Sequence, residues 1–141
     1  MLPKWHFLLG LIFSSILVYL YKFSIFGGMI ILASSILIDL DHYLVYLIRY
    51  KDFSVSRAYN WHKSLDSEHK PFMHLFHSVE FILLIGALSF LSDTFLLIFL
   101  GLLFHSFLDI IDICFKKKIK GWGREFFLIR YLLTKDKSKY F

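Results

Sequence analysis

Apolar residues fall into four long blocks, at positions 7–21, 25–40, 75–91 and 94–108, each 15 to 17 residues long. A helix needs about 20 mostly apolar residues to cross about 30 Å of hydrocarbon. Each block gains length from partly apolar flanks, such as 43–48 after the second. Backbone polar groups find no water to bond inside a bilayer, so these blocks are predicted to be helices rather than strands. Short turns at 22–24 and at Ser92-Asp93 join them in pairs. The predicted fold is all-α: a polytopic membrane bundle of four transmembrane helices, built as two hairpins within residues 1–115. The polar segment 49–71 links the hairpins, and residues 116–141 form a basic, amphipathic tail.

Composition agrees with a membrane setting. Hydrophobic residues make up 57% and charged residues 19%, with 17 Phe, and the mean hydropathy is +0.62. Soluble domains run nearer 45–50% apolar and about 25% charged. Lys4 before the first apolar block has the outline of a signal peptide. Its exit, Tyr19-Leu20-Tyr21-Lys22-Phe23, offers no small-x-small cleavage site, so a retained anchor is expected.

The net charge of +5 takes its meaning from placement. With four crossings, every Lys and Arg except Lys22 falls on one side, together with both termini and the linking segment. Positive charge marks the cytoplasmic side, so a multi-pass protein of the cytoplasmic (inner) membrane with both termini inside is predicted. Orientation accounts for the basic balance without nucleic acid as a primary partner. The run Lys116-Lys117-Lys118-Ile119-Lys120 suits anionic headgroups, at about 1 kcal/mol per basic residue. Residues 124–133 read as an interfacial helix or, equally, as a packing helix, and 135–141 as a frayed end.

The polar residues then stand out by depth. His6 opens the first predicted helix, and Asp39, Asp41 and His42 close the second. His69, His74, His77 and Glu80 begin the third, while His105, Asp109 and Asp112 close the fourth. All lie at the cytoplasmic ends. Ionisable groups in a span cost about 2.5–3.5 kcal/mol each and usually face the bundle interior, so convergence at one level points to a site. His105 and Asp109, at i and i+4, share a helix face that Asp112 continues, and His74 and His77 are an i, i+3 pair. Such pairs can hold one ion, and a carboxylate behind an imidazole can orient it. Cys114 is the sole cysteine, which excludes thiolate clusters and an internal disulfide and leaves imidazole and carboxylate as ligands. Singly, each element has a plainer reading: His-x-x-x-Asp is common, Asp-x-Asp-His is often a cap, and His77 with Glu80 could be an ion pair. His62, in Trp61-His62-Lys63, reads as a loop residue outside the site.

The order of these stretches resembles the membrane-bound metal-dependent hydrolases of prokaryotes. That family shows an early His, then Pro-Asp-x-Asp-His, then His-Arg-Gly-x-x-His-Ser, then His-x-x-x-Asp. The corresponding stretches here are His6 before its apolar helix, Ile38-Asp39-Leu40-Asp41-His42, His69-Lys70-Pro71-Phe72-Met73-His74 and His105-Ser106-Phe107-Leu108-Asp109. Ile38 stands where the family has Pro, Lys70 for Arg, Pro71 for Gly and Leu75 for Ser, though a His-Ser pair recurs at His77-Ser78. The third motif therefore leaves His74 and His77 as alternative ligands, with His69 a ligand or a pocket-edge residue. The motif layout is also similar to zinc-dependent phospholipase C and single-strand nucleases, which implies phosphoester hydrolysis.

Together these readings predict a membrane-embedded metal-dependent hydrolase of lipid or amphiphile phosphoesters. The expected metal ligands are His6, Asp39, Asp41, His42, His69, His74, His77, His105 and Asp109, with Asp39 and Asp41 also catalytic. Mixed imidazole and carboxylate ligands suit zinc first, manganese or iron next, as one or two ions, with Asp41 or Asp109 as a bridge. Lys70 is the candidate substrate cation, with Lys63 and Arg57 behind it. Both helix-3 histidines are expected to line the site, His77 more tightly. The alternative is a non-catalytic metal-binding membrane protein: a transporter subunit, sensor or scaffold. A transporter needs polar groups near the midplane and a path to both faces, and the one-sided placement favours catalysis.

Overall fold

A computed structural model describes residues 3–64, 72–115, 124–125 and 127–134. Its elements are α1 (Pro3–Tyr21), α2 (Ile25–Leu37), α3 (Leu40–Tyr50), α4 (Val55–Ser64), β1 (Phe72–Met73), α5 (Val79–Leu88), α6 (Asp93–Phe115), β2 (Arg124–Glu125) and α7 (Leu128–Leu133). The fold is helical, with one two-residue parallel ladder pairing Phe72 with Arg124 and Met73 with Glu125. Three stretches are long and apolar enough to cross a membrane: Lys4–Tyr21, Ile25–Tyr50 and Asp93–Asp112.

The chain departs from four simple blocks in two places, and both make the site. The second block does not end at residue 40 but bends there and continues as α3. At the bend the Asp39 N–H bonds to the Ile36 carbonyl at 3.1 Å instead of reaching back four residues. The third block is helical only from Val79 to Leu88, about 15 Å of axis. Ser78, with extended backbone, accepts the Phe81 N–H at 3.2 Å and so sets the helix start. His74 and His77 therefore sit on an irregular approach to α5, and the shared helix face expected for them does not form. The segment 49–71, expected as a polar linker, contains the end of α3 and the helix α4.

Helix α2 packs against both α1 and α6, and two glycines let it. A Cβ on Gly10 would lie 2.6 Å from Ser35 Oγ, and one on Gly101 would lie 2.5 Å from the Ile31 carbonyl oxygen. Gly10 is one turn after His6 and Gly101 one turn before His105, so the close approaches bring those histidines together. Ile38, Ile85 and Leu102 form an apolar cluster beside them, packed by Phe76, Phe81 and Phe99. The polarity of the bundle is inverted: His6, Asp41 and His105 are buried, while Phe7, Ile12, Ile16 and Leu83 are at least 48% exposed.

Two further contacts tie the periphery. Glu80 accepts the N–H groups of Leu128 and Ile129 at 2.9 and 3.0 Å, so it holds the start of α7 and makes no ion pair with His77. Residues 124–133, expected as one helix, divide between β2 and α7; the run 116–120 and residues 135–141 lie outside the described residues. Between α3 and α4, Arg57 donates twice to Asp52, at 2.6 and 2.7 Å, and the Tyr46 hydroxyl donates to the same carboxylate. That guanidinium holds the Asp52 carboxyl well below the usual carboxylate range, helped by Tyr46 and the Ser54 N–H.

Candidate metal centre

The site collects side chains from the start of α1, the α2–α3 bend, the approach to α5 and the middle of α6. Its geometry begins with two imidazoles. His105 Nδ1 lies 2.7 Å from the Ser35 carbonyl, which the bend has released from its usual helical donor. A carbonyl only accepts, so Nδ1 carries the proton and Nε2 a lone pair. His77 Nδ1 lies 2.9 Å from Asp41 Oδ2, and the same logic leaves His77 Nε2 with a lone pair. The two Nε2 atoms face each other at 3.1 Å. Two lone pairs at that distance repel unless a cation, a proton or a metal ion, sits between them.

Two carboxylate oxygens flank the pair. Asp39 Oδ1 stands 3.5 Å from His105 Nε2 and 3.7 Å from His77 Nε2. Asp109 Oδ2 stands at the same two distances, 3.5 and 3.7 Å. Donors about 2.0–2.1 Å from a tetrahedral zinc ion stand about 3.3–3.4 Å apart. With the 3.1 Å contact, five separations linking these four atoms bracket that value. The donors fit a metal ion. His6 adjoins them: its ring stacks on His105 with centroids 3.9 Å apart, and its Nε2 lies 3.3 Å from Asp109 Oδ1.

A second group lies beside the first. Asp41 Oδ2 is spent on His77 and on the Phe76 N–H, at 3.0 Å, which fixes the irregular segment to the bend. Asp41 Oδ1 faces His74 Nδ1 at 3.5 Å, and both atoms are buried without a hydrogen-bond partner. His42 completes this group, its ring 4.1 Å from that of His74. Both nitrogens of His6 are likewise buried without a hydrogen bond, Nε2 standing 3.3 Å from Asp109 Oδ1. Buried polar atoms are normally paired; here the ion-pair contacts at 3.3 and 3.5 Å pair three of these atoms loosely, and a cation could complete the set. Among the described residues, three sets could hold a metal ion: His6 with His105 and Asp109, Asp39 with His77 and His105, and Asp41 with His42 and His74.

Of the expected ligands, His6, Asp39, Asp41, His42, His74, His77, His105 and Asp109 thus come together. His74 and His77 both reach the site but join different sets. His69 and Lys70 lie outside the described residues. Arg57 is engaged by Asp52 rather than held open for a phosphate, and Asp112 enters none of the three sets. His62 is the omission: it lies on α4, not on a loop, with its ring 4.3 Å from His42. Ala58, Trp61 and His62, at i, i+3 and i+4, are the inward stripe that could have revealed it. Set against models of protein families, curated proteins and solved structures, the chain matches none.

Proposed function

We propose that this protein is a metal-dependent hydrolase of the cytoplasmic membrane, acting on phosphoesters presented by a lipid or amphiphile. The observation that carries this reading is the convergence of buried imidazole and carboxylate donors, above all Asp39, His77 and His105, which could hold one metal ion. A divalent ion held there supplies Lewis acidity, which acidifies water and polarises a phosphoryl oxygen. The chain's own residues do the rest. Ser35 and Asp41 fix the tautomers of His105 and His77 from behind, as carbonyl and carboxylate partners of ligand histidines commonly do. Asp39 and His42, with side chains 16% and 12% exposed, are the most open members and form the approach.

Four crossings with both termini in the cytoplasm suit this reading. Helix α5, at ten residues, is shorter than a full crossing, so in this reading it enters the membrane from the outer side and residues 74–78 lie at its inner end. Irregular backbone at membrane depth is tolerated where protein buries it, and Asp41 supplies the Phe76 N–H with its acceptor. His105 lies twelve residues from the start of α6, about 18 Å along the axis, so with Asp93 at the outer border the site would lie about 12 Å inside the cytoplasmic border of a 30 Å core. A headgroup phosphate reaches that depth more readily than a water-soluble ester. Reporters fused at Phe141 and inserted near Ser56 should both read cytoplasmic.

The activity test uses detergent-purified protein with a short-chain phosphatidyl ester and a water-soluble chromogenic phosphodiester. Hydrolysis of the lipid, lost on chelation and regained with zinc or manganese, is expected. Metal-loaded protein inert towards both would overturn the hydrolase and favour a metal-binding scaffold.

A further inference from the structure

Residues 74–78, which carry His74 and His77, are neither helix nor strand. Fixing irregular backbone costs entropy at every residue, yet a ligand must be held to within about 0.5 Å of its working position. The middle of the stretch is held by Asp41, which accepts the Phe76 N–H at 3.0 Å and bonds His77 Nδ1 at 2.9 Å. Its two ends are held by the C-terminal segment. On the near end, Phe72 and Met73 pair with Arg124 and Glu125. On the far end, Glu80 accepts the N–H groups of Leu128 and Ile129. Seven residues separate Met73 from Glu80, but only three separate Glu125 from Leu128. Fully extended, three residues reach at most about 11 Å and seven about 25 Å. The tail is thus a short chord across a longer arc. It draws the ends of the histidine stretch together, and the middle of the arc meets Asp41.

We infer that β2 and the start of α7 form a splint for the metal centre, setting the positions of His74 and His77 through β1 and Glu80. Glu80 enters none of the three donor sets, so it is a positioning residue and touches no ion. It stands three residues after His77, with the turn that starts α5 between them, so slack at Glu80 passes directly to the ligand. His74 and His77 belong to different sets, and the same splint governs both. The inference rests on the metal centre of the proposed function and is independent of the ester that this centre cleaves.

The test uses the full chain in detergent, with cobalt(II) alone as the probe. Glu80→Ala removes both acceptors, and Glu80→Gln keeps one acceptor oxygen. Leu128→Pro deletes one donor at the first position of α7, where proline is tolerated. Phe127 before it already has φ −112° and ψ 108°, the extended backbone that a following proline requires. Leu128→Ala keeps the N–H and controls for the lost side chain. Competition with a chelator should show cobalt bound about tenfold more weakly by Glu80→Ala, the lower range for removal of a partner behind a ligand. Glu80→Gln and Leu128→Pro should fall between, and Leu128→Ala should match wild type. The visible cobalt band should shift in Glu80→Ala, because ligand geometry changes and not stability alone. In metal-free protein, amides 74–78 of Glu80→Ala should exchange hydrogen faster while α1, α2 and α6 exchange as in wild type. Faster exchange confined to α7, uniform acceleration in every helix, or wild-type cobalt affinity in both Glu80 variants would overturn the splint. Wild type that takes up no cobalt would overturn the metal centre and the splint together. Cobalt binding in the expected order, with no hydrolysis of any ester, would remove the hydrolase and leave the splint standing.

Discussion

His105 shows how a residue acquires a role that its letter does not reveal. Its Nδ1 is spoken for by a backbone carbonyl and its Nε2 meets another imidazole and two carboxylates. The spacing of His105 and Asp109 was readable as a shared face, since both lie on one helix. The Ser35 carbonyl was not readable, because a freed backbone acceptor leaves no trace in side-chain pattern. His62 went unread because a charged, aromatic-rich stretch without a long apolar run looks like a loop. Asp52 gives a residue-scale prediction. Arg57 holds its folded pKa below the usual value of about 3.9, so its contribution to stability is present above about pH 4 and is lost as the pH falls through the folded value. Asp52→Asn should lower the melting temperature near neutral pH, modestly because Arg57 is 71% exposed. The gap to wild type should narrow below about pH 4. A gap that persists unchanged into stronger acid would mean that the carboxylate charge is not what Arg57 reads.

At the scale of elements, the three membrane-length stretches were legible as apolar blocks because lipid solvation rewards a long uncharged run whatever it packs against. Their ends were not. The bend at Asp39 and the late start of α5 depend on which polar group captures a backbone amide: the Ile36 carbonyl for Asp39, Asp41 for Phe76 and Ser78 for Phe81. The Phe76 capture needs a partner 35 residues away, beyond any local pattern. The glycine contacts are a second feature that only packing reveals. Gly101→Val should push α6 away from the α2 backbone, costing about 1–3 kcal/mol as overpacking does. Because His105 lies one turn further on, the same variant should lose metal while retaining its membrane insertion. Full metal content in Gly101→Val would show that the close α2–α6 approach does not set the ligand spacing.

For the whole molecule, the arrangement is a bundle with apolar side chains outside and imidazoles and carboxylates within. Lipid makes the outer face favourable, but it raises the cost of the inner one. Asp41, Asp109 and the largely buried Asp39 converge where ionised groups cost several kcal/mol each unless compensated, and imidazoles of His6, His77 and His105 face them. A divalent cation is one compensation that these donors could accept. The most direct measurement is therefore elemental and X-ray absorption analysis of the detergent-purified chain. The expected result is a stoichiometric divalent metal with nitrogen and oxygen neighbours at about 2.0–2.1 Å, imidazole scattering beyond them, and no sulfur, since the one cysteine, Cys114, is exposed and enters no donor set. Protein that is folded and inserted yet carries no metal after growth and purification in metal-replete buffer would contradict the account.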